Sequence, residues 1–199
     1  MWTDLLTHAG QHALLAGYAV VLAILLGGPL GTLAWSYNPV RSPILAVAAI
    51  GRTLPSLAVL TLLLPFLGVG MAPAIVALVL LALPPIVINV DLGLRSVAHE
   101  TLDAAKGLGM TAPQRFGRVS VPLALPIALS GVRTAAVEVI ASATLATFIG
   151  AGGLGDDIVR ALQTNDLTLL LAGSATVAAM AFAAEYLLSQ VAARLEVSA

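Results

Sequence analysis

Residues 13–35 run without a single charged side chain, and such a run has few places to go. A lipid hydrocarbon core about 30 Å thick is crossed by roughly 20 apolar residues wound as a helix, because helices and closed barrels alone satisfy every backbone N–H and C=O in lipid. Four further segments, 43–67, 71–91, 126–149 and 166–190, have comparable length and character. With 59% hydrophobic and 10% charged residues, against roughly a quarter charged in soluble domains, residues 1–199 read as one transmembrane domain. The expected fold class is an all-α integral membrane protein of about five transmembrane helices, with no length left for a soluble catalytic domain.

Prolines decide how the spans are counted. Splitting 43–67 at Pro55 would make six, but each half would hold about 12 residues and reach only about 18 Å, so one span is expected there. Pro84-Pro85 should kink the third span if it is helical throughout, because proline removes an amide donor and clashes with the preceding turn. Trp35 and Tyr37 lie where an interfacial aromatic belt would sit. Arg41, Arg95, Lys106, Arg115, Arg118 and Arg194 fall on one side of these spans and Arg160 on the other, with Arg52 and Arg133 inside spans. The positive-inside rule then places the N-terminus outside and the C-terminus in the cytoplasm of a multi-pass cell-membrane protein. The opening MWTDLLTHAG lacks the basic stretch of a secretory leader, so the first segment is read as a retained span.

Several classes of chemistry drop out. A net charge of -1 gives no argument for a nucleic-acid partner. Cysteine is absent, which excludes disulfides and cysteine metal sites. His8 and His12 stand at i, i+4 without a third ligand and are read as a surface pair rather than a metal site. Neither a nucleophile with its base nor a paired-carboxylate constellation stands out, so no catalytic residue and no metal ligand is assigned.

The loop 92–125 is the polar exception between the third and fourth spans. Leu102, Ala105 and Gly109 recur at helical spacing, and the small residues Ala104, Ala105, Gly107 and Gly109 would let another protein's surface approach the backbone. A short helix across the membrane face is expected. Thr111 and Gln114 match a capping box that opens a second short helix, with Pro122 expected to stop it.

Asp103-Ala104-Ala105, then Gly109, then Val119 and Pro122 fit the spacing EAA, three residues, G, nine residues, I-x-L-P. That pattern resembles the cytoplasmic loop of permease subunits in binding-protein-dependent ABC importers, with Asp for Glu and Val for Ile and Leu. The resemblance implies the small, methionine-permease-like architecture of type I importers, with a cytoplasmic coupling helix between spans three and four. It implies that two permease subunits, the same or homologous chains, form the pathway and that each inserts this loop into a cytoplasmic ABC ATPase dimer. Asp103, Ala104, Ala105 and Gly109 would be the coupling residues. ATP and Mg would be bound by the ATPase, with no cofactor in this chain, and an extracytoplasmic binding protein would deliver substrate.

Gly150-Ala151-Gly152-Gly153-Leu154-Gly155 matches G-x-G-x-x-G, but it follows an apolar span rather than a strand, so a dinucleotide site is not expected. The glycines are read as a tight external turn between spans four and five, and TLATFIGAGGLG is similar to the same permease family. Glu138 lies mid-span, where a charge in lipid is expensive, so it faces the bundle interior, a partner or water. It is a pathway or gate candidate, with helix packing the competing role. Arg52, within an Arg-x-x-Pro sequence similar to one in these permeases, either contacts substrate or snorkels toward the cytoplasmic interface. Ser142, Thr144 and Asn89 are further pathway candidates, although Ser and Thr in such helices often bond their own backbone.

Over about residues 14–190 the chain resembles the osmoprotectant branch, which carries glycine betaine, choline, carnitine or proline betaine; GLRSVAHETLDAAKGLGMTAPQRFGRVSVPLALP and GVRTAAVEVIASATLATFIGAGGLG carry the likeness. A permease for an amino acid such as methionine is the alternative, and an autonomous secondary carrier a further one. Tight binding of a quaternary ammonium calls for an aromatic cage. Here two tryptophans, three tyrosines and four phenylalanines are scattered, so high-affinity recognition is expected to belong to the separate binding protein.

Overall fold

The computed structural model describes residues 2–196, and every regular element among them is helical. Helix α1 spans Trp2–Ser36, α2 Asn38–Gly51, α3 Ser56–Leu67, α4 Met71–Arg95 and α5 His99–Gly107. Helix α6, Ala112–Arg115, passes through a π-helical turn, Phe116–Ser120, into α7, Val121–Ala143. That helix tightens into a 3-10 stretch at Thr144–Ile149, and α8, Leu154–Thr164, and α9, Leu167–Glu196, complete the chain.

Helix α4 is the axis of the bundle, packed between α1 and α7. Small residues on all three helices make this possible: Leu15, Ala19 and Ala23 on α1 meet Ala74, Ala77, Leu78, Ala82 and Ile86 on α4, with Ala135, Val139 and Ala143 on the far side. Lipid tails are as apolar as leucine, so helix association in a membrane is driven by close packing rather than by removal of water. Two contacts show how close. A side chain at Gly31 would place its Cβ 2.6 Å from Val90 Cβ, and one at Gly131 would lie 2.5 Å from the Pro85 carbonyl oxygen.

Four stretches are long and apolar enough to cross a membrane, Thr3–Ser36, Met71–Arg95, Ala112–Ile149 and Leu167–Leu195. Helices α2 and α3 pass the same test only together, as a pair bent by 103° at the break between them. The segment expected to be one continuous second span therefore breaks just before Pro55. The residue before a proline is driven out of the helical region, and Leu54 ends the turn with a bond from its N–H to Gly51 O at 3.3 Å.

One other proline expectation changes. Pro122 does not stop the second short helix. It sits in the first turn of α7, directly after the π-turn that joins α6 to the fourth span, and the helix runs on through it. Pro84 and Pro85 stand inside an uninterrupted α4, where Asn89 Nδ2 donates to the Pro85 carbonyl at 2.8 Å.

The bundle has two polar ends. At the basic end Arg95 Nη2 reaches Asn38 Oδ1 at 3.2 Å, and Trp35 stacks on Phe116 with ring centroids 5.6 Å apart. At the opposite end the Gly70 N–H donates to Ile149 O at 2.7 Å, and His8 meets Asp157 at 2.8 Å.

Candidate functional site

Helix α5 hangs from the basic end. Its end is a Schellman turn: Met110 N–H donates to Ala105 O at 3.2 Å and Gly109 N–H to Lys106 O at 3.0 Å. Gly109 takes φ +81 there and nothing lies within 4 Å of its missing Cβ. The glycine is thus demanded by backbone angle rather than by space. Asp103 and Ala104 are exposed, whereas Ala105 is only 5% exposed and packs inside this chain. The four coupling candidates therefore divide into two outward-facing residues, one inward-facing and one that ends the helix. Leu108 was not singled out by spacing, yet it is 81% exposed at the tip of α5. Its signal was simply an apolar residue inside a polar loop.

The start of α6 follows its capping-box pattern. Gln114 Oε1 accepts from the Thr111 backbone N–H at 2.8 Å and from its hydroxyl at 3.1 Å. Arg115 Nη1 donates to Met110 O at 2.8 Å, which folds the second short helix back on the turn that ends the first.

Charges within the bundle fall into three groups. Asp91, one turn before the end of α4, is buried and accepts hydrogen bonds from Arg41 and Arg95. Arg133 on α7 pairs with Glu185 on α9; Glu185 was missed in the sequence, although a mid-span arginine calls for a carboxylate on a facing helix. The third group is Arg52 and Glu138. Arg52 caps α2 at the bend, next to Gly51, whose missing Cβ would lie 3.1 Å from Pro84 Cγ. Pro84 stands near the middle of α4, so the bend lies level with the middle of that helix. Glu138, on α7, is half-buried.

The remaining polar candidates lie on α4, on α7 and in the 3-10 stretch after it. Asn89 bridges α4 and α7, its Oδ1 accepting from Ser130 Oγ at 3.1 Å while its amide bonds Pro85 O. Thr144 Oγ1 donates to Ala141 O at 2.7 Å, and Ser142 is buried. Beside the bend an apolar groove of about 600 Å³, lined by residues such as Leu30, Val47, Leu54, Leu80 and Pro84, opens between α2, α3 and α4. Its walls offer nothing to a polar solute.

At the opposite end the glycine run is more than a turn, because it leads into α8. Gly150, Gly152 and Gly153 have positive φ, and Thr147 Oγ1 donates to Asp156 across them. The histidines are no surface pair. His12 is fully buried with its Nε2 3.0 Å from Ile140 O, and half-buried His8 is bonded to Asp157. The reason is tertiary: α8 and α7 close over the start of α1, which i, i+4 spacing alone does not reveal. Among the described residues no group of three or more His, Asp or Glu side chains is placed to hold a metal ion.

This set of helices, with a short polar helix slung between the third and fourth spans, has known counterparts. Residues 19–197 match the family described as the inner membrane component of binding-protein-dependent transport systems. The chain belongs to that family. Among its relatives, the carnitine transport permease protein OpuCB of Listeria monocytogenes is 39% identical over 96% of this chain and 88% of its own. The glycine betaine/carnitine/choline transport system permease protein OpuCB of Bacillus subtilis (strain 168) is 38% identical over 94% and 86%. The osmoprotectant import permease protein OsmW of Salmonella typhimurium is 37% identical over 89% and 85%. A chain of the MetNI methionine ABC transporter in an inward-facing conformation superposes with a TM-score of 0.86 at 19% identity, over 98% of this permease and 97% of that chain. The architecture is therefore that of a small ABC-importer permease, as the resemblance implied.

Proposed function

We propose that this permease forms the pathway for a small compatible solute such as glycine betaine, carnitine, choline or proline betaine in an ATP-driven importer. The observation that carries this reading is identity of 37% to 39% over most of the chain to permeases named for carnitine, glycine betaine, choline and osmoprotectants. The methionine transporter shares the scaffold at 19% identity, which speaks to fold and not to substrate.

In this reading two permeases, identical or homologous, stand over a cytoplasmic pair of ATPase subunits that hold ATP and Mg, and an external binding protein supplies the solute. The chain itself hydrolyses nothing and carries no cofactor. The basic end faces the cytoplasm, which leaves the N-terminus outside. Asp103, Ala104 and Leu108 meet the ATPase, while Ala105 and Gly109 shape the helix that presents them. Arg52 at the bend and Glu138 on α7 line the route, because discontinuous helices place backbone and side-chain polarity where a solute crosses; Asn89, Ser142 and Thr144 support that wall. A low-affinity polar route suffices when the binding protein supplies selectivity.

Reconstitution tests the whole reading. The permease is assembled in proteoliposomes with its ATPase and binding protein, and uptake of labelled glycine betaine, carnitine, choline and methionine is compared. ATP-dependent, binding-protein-dependent uptake of a quaternary ammonium solute is expected. Preferential methionine uptake would reassign the substrate, and uptake by the permease alone would reassign the class. Cysteine labelling tests orientation: a cysteine at Thr111 should be shielded from an impermeant thiol reagent in intact cells, and one at exposed Gln163 should react.

A further inference from the structure

The corner between α1 and α2 is gripped from both sides of the loop that carries α5. On the α4 side, buried Asp91 accepts from Arg41 Nε at 3.1 Å and Nη2 at 2.9 Å, a two-pronged contact from α2. Arg95 Nε reaches the same carboxylate at 3.2 Å, and Arg95 Nη2 goes on to Asn38 Oδ1, the first residue of α2. On the α7 side, Trp35 at the end of α1 stacks on Phe116, the first residue of the π-turn. Helix α5 leaves from one grip and returns to the other.

What the corner holds at its far end makes the arrangement informative. Helix α2 is a single piece of 14 residues, about 21 Å long, and it ends at the bend that carries Arg52. A displacement of the α5 segment would be passed by Asp91 to Arg41, and by α2 as a lever to the elbow at its end. A carboxylate buried between two arginines does not slide as an exposed pair would, because leaving it unpaired is costly.

We propose that Asp91, Arg41 and Arg95, together with the Trp35–Phe116 stack, form a rigid latch that makes the coupling segment and the broken α2–α3 span move as one body. Asp91 is then a positioning residue for transport, touching neither solute nor ATPase. The proposal rests on reading α5 as the ATPase dock.

The test uses the complete complex in proteoliposomes, with solute uptake and ATP hydrolysis measured on the same sample. Failure of the wild-type complex to couple the two would overturn the reading of α5. The latch is judged only where the wild type couples. Asp91→Asn keeps size and hydrogen bonding but deletes the charge; it should retain the ATPase and its hydrolysis while uptake per ATP falls about tenfold, within the usual range of coupling between sites. Asp91→Glu should restore most of the ratio. An unchanged ratio in Asp91→Asn would overturn the latch. A second arm does not depend on that variant folding: in this cysteine-free chain, Asn38→Cys with Arg95→Cys is bridged by a cleavable bis-thiol reagent. The unbridged double variant lacks the Arg95 arm of the latch and should show a lowered uptake per ATP, which bridging should raise to within about twofold of wild type, well inside the coupling range. Loss of uptake on bridging, recovered on cleavage, would show that the joint must open, and would overturn the proposal.

Discussion

Two glycines at opposite ends of the bundle are required for different reasons. Gly109 at the basic end adopts φ +81 with nothing within 4 Å of its missing Cβ. Gly155 at the other end is required by space, because its Cβ would lie 2.2 Å from the Thr144 carbonyl oxygen. The same contrast extends to their surroundings. Helix α5, which the basic end presents to solvent, is built with its turn from local bonds, Gly109 to Lys106, Met110 to Ala105 and Thr111 to Gln114, even though the corner beside it is held across the sequence by Arg41 with Asp91 and Arg95 with Asn38. The opposite end is sewn across the sequence, His8 to Asp157 and His12 to Ile140. On the proposed reading, a surface that receives a partner keeps its own structure local and its faces free, whereas the opposite end uses its polar groups on itself.

The sharpest way to break this contrast is to fill both glycines. Gly155→Leu sets a side chain against backbone that no rotamer change can relieve, and a loss of about 3 kcal/mol or more is expected, with little folded permease recovered. Gly109→Leu pays only the left-handed backbone cost of about 1 to 2 kcal/mol, confined to the end of α5. Heating each variant in detergent and following the monodisperse fraction by size exclusion ranks them. Equal losses would mean that the two ends are not built differently.

The next effect belongs to the long-range stitches. His8→Ala leaves Asp157, 1% exposed, without its closest partner, at a cost of about 1 to 3 kcal/mol. His12→Leu removes a buried ring whose Nδ1 has no partner, and the same asymmetry predicts a change within about 1 kcal/mol. Thermal midpoints of the two variants, measured side by side, should therefore differ with His8→Ala the lower. The reverse order would show that the His12 contact to Ile140 holds this end together.

These stitches also mark where sequence reasoning stops. The spans were legible because lipid imposes a length, and the loop because Asp103-Ala104-Ala105, Gly109 and Pro122 keep a fixed spacing that a helix, its terminating turn and a second helix require. Chain-local patterns such as Thr111 with Gln114 were legible for the same reason. What spacing could not carry was direction: that Ala105 turns inward while Leu108 turns outward, and that Pro122 opens a helix rather than closing one. Nor could it carry partnership. Asp91 with Arg41, and Arg133 with Glu185, are joined across 50 and 52 positions, and helical periodicity has nothing to say at that range. The bend at Pro55 was weighed by length alone, which counts residues but does not see that a break beside Pro84 places Arg52 level with the middle of α4.

A smaller effect separates shape from chemistry at Gly109. Asn adopts the left-handed conformation more readily than other residues with side chains, so Gly109→Asn should keep the turn and lose less than about 1 kcal/mol, while β-branched Gly109→Val should lose about 1 to 2 kcal/mol. Hydrogen exchange over residues 99–110 in the assembled transporter is the measurement. Faster exchange in Gly109→Val than in Gly109→Asn is expected, and co-isolation of the ATPase should follow the same order. Equal loss of the ATPase in both would mean that the partner touches Gly109 directly, through the open space beside it.

The smallest effect on the fold should be the most telling for function. Leu108 is 81% exposed and Asp103 is also exposed, so neither contributes to the packing of this chain, and Leu108→Ser and Asp103→Ala should each leave the thermal midpoint within about 0.5 kcal/mol of wild type. An apolar side chain standing on a polar tip is the kind of anchor that fills a pocket on a partner, and a few such residues carry most of an interface's energy. Leu108→Ser is accordingly expected to weaken binding of the purified ATPase by about tenfold or more, with Asp103→Ala causing a smaller loss that shrinks as salt is raised, as an exposed charge pair requires. Titrating the ATPase onto detergent-solubilised permease at two salt concentrations distinguishes these outcomes. Wild-type affinity in Leu108→Ser would move the dock away from the tip of α5 and leave the exposed face of Asp103 and Ala104 as the contact.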